Sequence, residues 1–200
     1  MNWSTLSEAI TAVVSWFKAR GFKFCLVGGL AVSFRTIERA TSDVDLVIAV
    51  SSDKEAEQCV RELRDLGFTP AELLLRKESG SISTVRMLSP EFPAIYLDLL
   101  FFACGIEKEI IQSATDIEIL PGVTVPAATL PSLVAMKVLS SGNKRRKQDL
   151  LDLENLISDA SQSDLVEARK LTTMIKARGF GADRDLSAVL EELIKEIKST

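Results

Sequence analysis

Two aspartates one residue apart, Asp43 and Asp45, stand just ahead of an apolar run in the segment TSDVDLVIAV. At that spacing on a strand both side chains point to the same face, with Cα atoms about 6.6 Å apart. Two carboxylates so placed can converge on one hard cation or on a close pair of them. Mg²⁺ takes oxygen ligands and is commonly held by one or two carboxylates together with substrate phosphates, so the spacing suits a metal–nucleotide site. D-x-D by itself also describes an ordinary pair of strand-end aspartates. What sets this one apart is its place before an apolar strand and after a glycine pair. A third carboxylate, Asp98, lies inside the apolar stretch AIYLDLLFFA. An ionised group there is costly unless paired or coordinated. Two readings stand: an ion pair with an arginine elsewhere in the chain, or a third member of the same acidic cluster, able to take the proton of an attacking hydroxyl.

Basic and glycine positions extend the pattern. FCLVGGLAVSF reads as strand, Gly28-Gly29, then helix. Glycines let a backbone come close to a phosphate, and the free N–H groups of a helix start favour an anion. A plain tight turn accounts for the pair almost as well. In TLPSLVAMKVLSS, Leu130, Leu133, Val134, Lys137 and Val138 fall on one helical stripe, so Lys137 interrupts an apolar face. It either snorkels to solvent or turns its ammonium into a cleft, where it could meet a triphosphate. Arg39 is a further candidate for a phosphate or for pairing with an acid.

Composition narrows the chemistry. The 200 residues include no histidine, which removes imidazole-based triads and histidine metal sites and leaves carboxylates, lysines, tyrosine or metal-bound water for proton transfer. Three widely spaced cysteines, Cys25, Cys59 and Cys104, argue against a disulfide framework or a zinc site. A net charge of −4 excludes a wholesale nucleic-acid coat, although the run KRRK at Lys144 to Lys147 could touch phosphates locally or simply begin a solvated helix. The N-terminal residues carry no basic region followed by an apolar stretch, and no apolar run reaches the length of a membrane span. A cytoplasmic protein with no membrane contact is expected.

These residues must be held by an alternation of helices and strands. Thr5 and Glu8 read as a capping box for a helix ending near Gly21, and Lys23 to Val27 as a short strand. Leu30 to Ile37 reads as a short helix, Val44 to Val50 as a strand buried on both faces, and Asp53 to Leu66 as an amphipathic helix closed by Gly67. Three β-rich runs follow, Ala71 to Arg76, Ile82 to Leu88 and Ala94 to Ala103, then a short helix and one or two short strands as far as Val125. From Thr129 the pattern is helical, with breaks near Gly142, near Ser161 and at Gly179 to Gly181. The expected architecture is α/β (α+β): a mixed sheet flanked by helices over residues 1–127, with a C-terminal helical portion over residues 128–200 packed on it. The apolar stripe Leu186, Val189, Leu190, Leu193, Ile194 and Ile197 reads as core or as a partner surface.

Taken in order, Gly28-Gly29 and then Arg39-x-Thr41-x-Asp43-x-Asp45 resemble the first motif of the DNA polymerase β-like nucleotidyltransferase superfamily, and Asp98 matches its third acid. Within it the chain is most similar to the AbiEii/AbiGii-type toxins, through Lys137 and through Lys147, Asp149 and Asp152 in KRRKQDLLDL. The resemblance spans roughly residues 22 to 157; one departure is Gly29, where many members carry serine. It implies a nucleotidyltransferase fold and the Mg²⁺-dependent transfer of a nucleoside monophosphate from an NTP to a hydroxyl. Asp43, Asp45 and Asp98 would hold the metal, Asp98 bridging a second ion, with the two ions about 3.5–4 Å apart. Gly28, Gly29, Arg39, Thr41, Lys137, Lys147 and Asp149 would face the nucleotide, Asp149 either touching it or orienting Lys137. It further implies a toxin of a toxin–antitoxin or phage-defence pair, with tRNA as acceptor and a cognate antitoxin as partner. Two alternatives stay open: transfer to a small aminoglycoside-like acceptor, and nucleotide binding without turnover.

Overall fold

The computed structural model describes residues 3–38, 41–91, 93, 95–141 and 147–199. Helix α1 (Trp3–Ala19) leads into strand β1 (Phe24–Val27), which passes directly into α2 (Gly28–Arg35) and then to β2 (Asp43–Ile48). Helix α3 (Asp53–Glu62) tightens into a 3-10 turn over Leu63–Leu66 and stops at Gly67, which is left-handed with φ 78°. Strands β3 (Thr69–Leu75), β4 (Ile82–Leu88) and β5 (Tyr96–Leu100) follow, then α4 (Glu107–Ser113), β6 (Thr115–Leu120) and β7 (Val123–Ala127). The remainder is helical: α5 (Leu130–Ser140), α6 (Lys147–Asp159), α7 (Gln162–Ala177) and α8 (Leu186–Lys198).

The strands form one mixed sheet in the order β3-β4-β5-β2-β1-β7-β6. β2 is central, antiparallel to β1 and parallel to β5, and its apolar residues Leu46, Val47 and Ile48 are fully buried. Burial of both faces explains why this stretch reads as a continuous apolar run without alternation. β3 lies at one edge and β6 at the other. Helix α2 packs on β1 and β2, α3 on β4, and α4 on β1 and β2. α5 packs against α2, α6, α7 and α8, so it is the element that ties the helical rear to the sheet layer.

Most sequence expectations hold within a residue or two, and the exceptions have physical causes. The short helix begins at Gly28, ahead of the expected Leu30, because β1 turns into α2 with no connecting loop. β2 begins at Asp43, ahead of the expected Val44, so both aspartates are strand residues, paired in register with Tyr96 and Asp98. α1 runs from Trp3, so Thr5 lies inside the helix that it was expected to cap. The break at Ser161 is a full capping box, its hydroxyl accepting from the Asp164 N–H while the Asp164 carboxylate accepts from the Ser161 N–H. The α8 stripe is core: Leu186, Leu190 and Leu193 are buried, and Val189, Ile194 and Ile197 pack against them. All three cysteines are buried, and burial pushes the Cys25 and Cys59 thiols up to about 12, out of reactive range. Among the described residues no helix is long and apolar enough to cross a membrane.

Two kinds of contact join the rear helices to the rest. Leu153, Leu156 and Ile157 of α6 are fully buried. At the far end of α7, the Arg178 guanidinium forks onto Glu109 at 2.8 and 2.9 Å, on a surface where the arginine side chain stays 42% exposed. Burying a leucine removes a large apolar area from water, whereas an exposed ion pair is screened. Leu156→Ala is therefore expected to cost about 2–5 kcal/mol in urea unfolding. Arg178→Ala should cost about 1 kcal/mol or less. A reversed order would show that the ion pair, not the core, fastens the rear helices.

Candidate active site

Strand register builds the site. Val27 of β1 pairs with Asp45 of β2, Asp45 with Asp98 of β5, and Asp98 with Arg86 of β4. Residues paired in register share a face, with neighbouring strands about 4.8 Å apart, so Asp45, Asp98 and Arg86 form one row across the sheet. Asp43, two residues before Asp45, joins the same face. At the β1 end the row is closed by Gly28, whose φ of +65° lies in the left-handed region. A Cβ at Gly28 would stand 1.9 Å from Oδ2 of Asp45, so the carboxylate occupies the room that a side chain would take. Glycine is required here both by backbone conformation and by this close approach.

The row faces a cavity of about 530 Å³ between the sheet and helices α5 and α6. Gly28, Gly29, Asp43, Asp45 and Asp98 line it on the sheet side, with Thr41 at its edge. Lys137 and Asp149 line it on the helix side. Thr41 Oγ1 accepts from the Asp43 N–H at 3.4 Å, and Ser42 Oγ donates to Asp43 Oδ1 at 3.2 Å. Lys147, the first residue of α6, is exposed and lies off the cavity wall. The reason is helical: two residues from Asp149 is more than half a turn, which carries Lys147 to the other side. Arg39, and Lys144 to Arg146 of the basic run, lie outside the described residues.

Of the two readings of Asp98, the structure shows the ion pair with an arginine, and it also places the carboxylate on the cavity wall beside Asp45. Asp98 is 8% exposed and lies in the cavity beside Asp45, and it is also ion-paired. Arg86 Nε donates to its Oδ1 at 2.8 Å and Nη2 to its Oδ2 at 2.6 Å. The same Nη2 stands 3.8 Å from Asp43 Oδ2, and the guanidinium lies 4.9 Å over the Tyr96 ring. The hydrogen bonds to Asp98 hold the guanidinium firmly protonated. Lys137 does not snorkel. Its ammonium lies 2.8 Å from Asp149 Oδ1 and 2.7 Å from Asp152 Oδ2, and Asp152 is fully buried. Gln148 Nε2 donates to the other Asp152 oxygen at 3.2 Å. Asp149 thus both orients Lys137 and faces the cavity. Arg86 and Gln148 were not singled out in sequence. The one signal for Arg86 was that Asp98 needed an arginine; which arginine depended on the pairing of β4 with β5.

Crowding of like charge has a measurable consequence. Asp45 is pushed up to about 7, first by burial, then by the charges of Asp98 and Asp43, with Lys137 and Arg86 opposing. The two cations therefore leave the carboxylates short of positive charge. The donor set is entirely oxygen, which suits a hard divalent cation such as Mg²⁺. Among the described residues no group of three or more carboxylates stands in an arrangement that would hold a metal ion.

Solved structures share this fold. The antibiotic-resistance factor ANT(2'')-Ia in solution superposes with TM-score 0.58 at 15% identity, covering 94% of this chain and 96% of that one. An antigenic nucleotidyltransferase-like protein from Paracoccidioides brasiliensis gives 0.55 at 19%, covering 98% of each chain. The lincomycin-bound lincosamide antibiotic adenylyltransferase LnuA gives 0.50 at 14%, covering 76% of this chain and 97% of that one. The sheet, with its glycine turn and D-x-D strand, is the nucleotidyltransferase fold. No curated protein matches the sequence. The family model for the nucleotidyl transferase AbiEii toxin of Type IV toxin–antitoxin systems matches residues 16–199, and the chain belongs to that family of nucleotidyltransferases.

A carboxyl with a raised folded-state pKa takes up a proton on folding. Its penalty on stability is absent below the ordinary 3.8, grows as pH rises, and is complete above about 7. Asp45→Asn removes that penalty at nearly constant shape. In chelator at pH 8 the variant is expected to be the more stable, by at most about 4 kcal/mol at ~1.4 kcal/mol per unit. The difference should shrink as pH falls toward 4. Equal denaturant midpoints at pH 8 would mean that the charge of Asp45 is already fully compensated.

Proposed function

We propose that the protein transfers a nucleoside monophosphate from Mg²⁺-bound NTP to a hydroxyl of an RNA, with tRNA as the acceptor, and that it acts as a toxin countered by a cognate antitoxin. The observation that carries this reading is the convergence of Asp43, Asp45 and Asp98 on one cavity, beside a glycine turn that opens a helix. When bound, Mg²⁺ supplies positive charge against the triphosphate and the pyrophosphate that leaves. Asp43 and Asp45 are the carboxylates placed to hold it. Gly28 and Gly29 have no side chain of their own to hold off a phosphate, which would meet backbone N–H groups at the start of α2, and no hydroxyl at position 29 is needed. Lys137 has three donors, two of them engaged by Asp149 and Asp152, which leaves one for a phosphate oxygen.

In the transfer the acceptor oxygen bonds to the α-phosphorus. The bond from that phosphorus to the bridging oxygen breaks, and pyrophosphate departs with the electron pair. The hydroxyl proton passes to the Asp98 carboxylate, whose remaining lone pairs face the cavity side of the Arg86 fork. Residues 1–127 form the catalytic domain in this reading, and residues 128–200 supply the wall carrying Lys137 and Asp149.

A small cationic acceptor is the second reading. Asp43, Asp45, Asp98 and Asp149 outnumber Arg86 and Lys137 on the wall, and that excess of carboxylates would attract a cationic, aminoglycoside-like molecule. The fold shared with ANT(2'')-Ia and LnuA is compatible with it.

Incubation with each labelled NTP, Mg²⁺, total tRNA and a mixture of aminoglycosides separates the readings. Label is expected in RNA, with loss of at least about 100-fold for Asp43→Ala. Label in the aminoglycosides alone would replace the acceptor. Binding of NTP with no pyrophosphate released under any condition would reduce the protein to a nucleotide binder.

A further inference from the structure

Among the described residues Arg86 is the one cation that enters the acidic row from the sheet itself. Its guanidinium covers one lone pair on each oxygen of Asp98, at 2.8 and 2.6 Å, and reaches to 3.8 Å from Asp43. Asp98 is 8% exposed, so little water reaches its carboxylate, while the Arg86 side chain is 34% exposed. Without a partner, a carboxylate so placed would be driven out of the cavity or neutralised. The Arg86 stem rises from β4 directly opposite Asp98, and the Tyr96 ring at 4.9 Å gives the guanidinium a second seat on the same side. The contact is thus built from two adjacent strands, β4 and β5, in fixed register and is not a chance surface meeting.

From this we propose that Arg86 is a positioning residue: it serves as the counter-cation of Asp98 before substrate arrives, keeps that carboxylate turned into the cavity, and competes with the divalent cation for it. The inference rests on the metal–nucleotide reading of the site. Arg86 holds the site formed, and for the same reason it weakens metal binding. A bidentate fork is geometrically specific, so lysine replaces it only in part: the charge stays, but a single contact leaves one Asp98 oxygen free.

The test uses the full chain and Mn²⁺ alone as probe, titrated by calorimetry, for wild type, Arg86→Gln and Arg86→Lys. Arg86→Gln is expected to bind Mn²⁺ about tenfold more tightly, since one positive charge a few ångströms away is gone. Arg86→Lys should fall between it and wild type. In chelator, Arg86→Gln should melt lower than wild type and gain more from added Mn²⁺. A folded Arg86→Gln with wild-type or weaker Mn²⁺ affinity would overturn the proposal. If that variant does not fold, unchanged affinity in Arg86→Lys would overturn it equally. Mn²⁺ binding to wild type and variants alike sinks this inference alone. No Mn²⁺ binding to any of them sinks it together with the metal-dependent reading. An intact Mn²⁺ series with no transfer of label from NTP sinks the proposed activity and leaves the role of Arg86 standing.

Discussion

Repulsion among carboxylates that share one face of a buried sheet is the constraint on which the rest of the molecule depends. Asp43, Asp45 and Asp98 are brought together by strand register, and the sheet that aligns them also removes much of the water that would screen Asp45 and Asp98. Each neighbouring feature answers that constraint. Gly28 has no Cβ, so Asp45 has room to lie against the turn. Arg86 stands opposite Asp98 on the next strand. Lys137 approaches from α5, on the far side of the cavity. These contributions neutralise the cluster only in part, and the residual negative charge is what makes the cavity a place for a cation and the anion that it carries.

The rear helices follow from the same constraint. A lysine facing the cavity from an apolar helix must have partners of its own, and Asp149 and Asp152 provide them from α6. A buried ion pair of this kind gains little net stability, since desolvation offsets most of its attraction. Its effect is geometric: it sets α6 against α5, which in turn packs on α2. Stability comes from elsewhere, from the leucines and isoleucines of α6, α7 and α8 that pack around α5. At the opposite end Phe180, in the turn after α7, lies against Gly105 while Arg76 stacks on its ring at 3.8 Å. The helical portion is therefore held at two separate places.

Membership of the AbiEii toxin family settles the reaction class, and the fold shared with ANT(2'')-Ia and LnuA shows how widely this scaffold is used. A fold of this kind does not choose its acceptor. That choice lies in the charge and shape of the cavity and in the residues at its mouth.

Much of this was legible in the sequence, because the signals were local. The apolar run after Asp45 announced a strand buried on both faces, Gly67 announced the end of α3, and the stripe of α8 announced an apolar helix face, core or partner surface. The D-x-D spacing and Lys137 on an apolar face marked groups that could face a site, and the carboxylate at Asp98 inside an apolar strand marked one that required a partner, since burial without one is too costly. What no local pattern contained was the identity of those partners. Asp98 meets Arg86, and not another arginine, because β4 and β5 pair antiparallel in one register. Lys137 meets Asp149 and Asp152, while Lys147 turns away, because α6 crosses α5 with one face. Sequence alone determined which residues needed neutralising; tertiary structure decided by what, because register and helix crossing are settled by the packing of the whole chain.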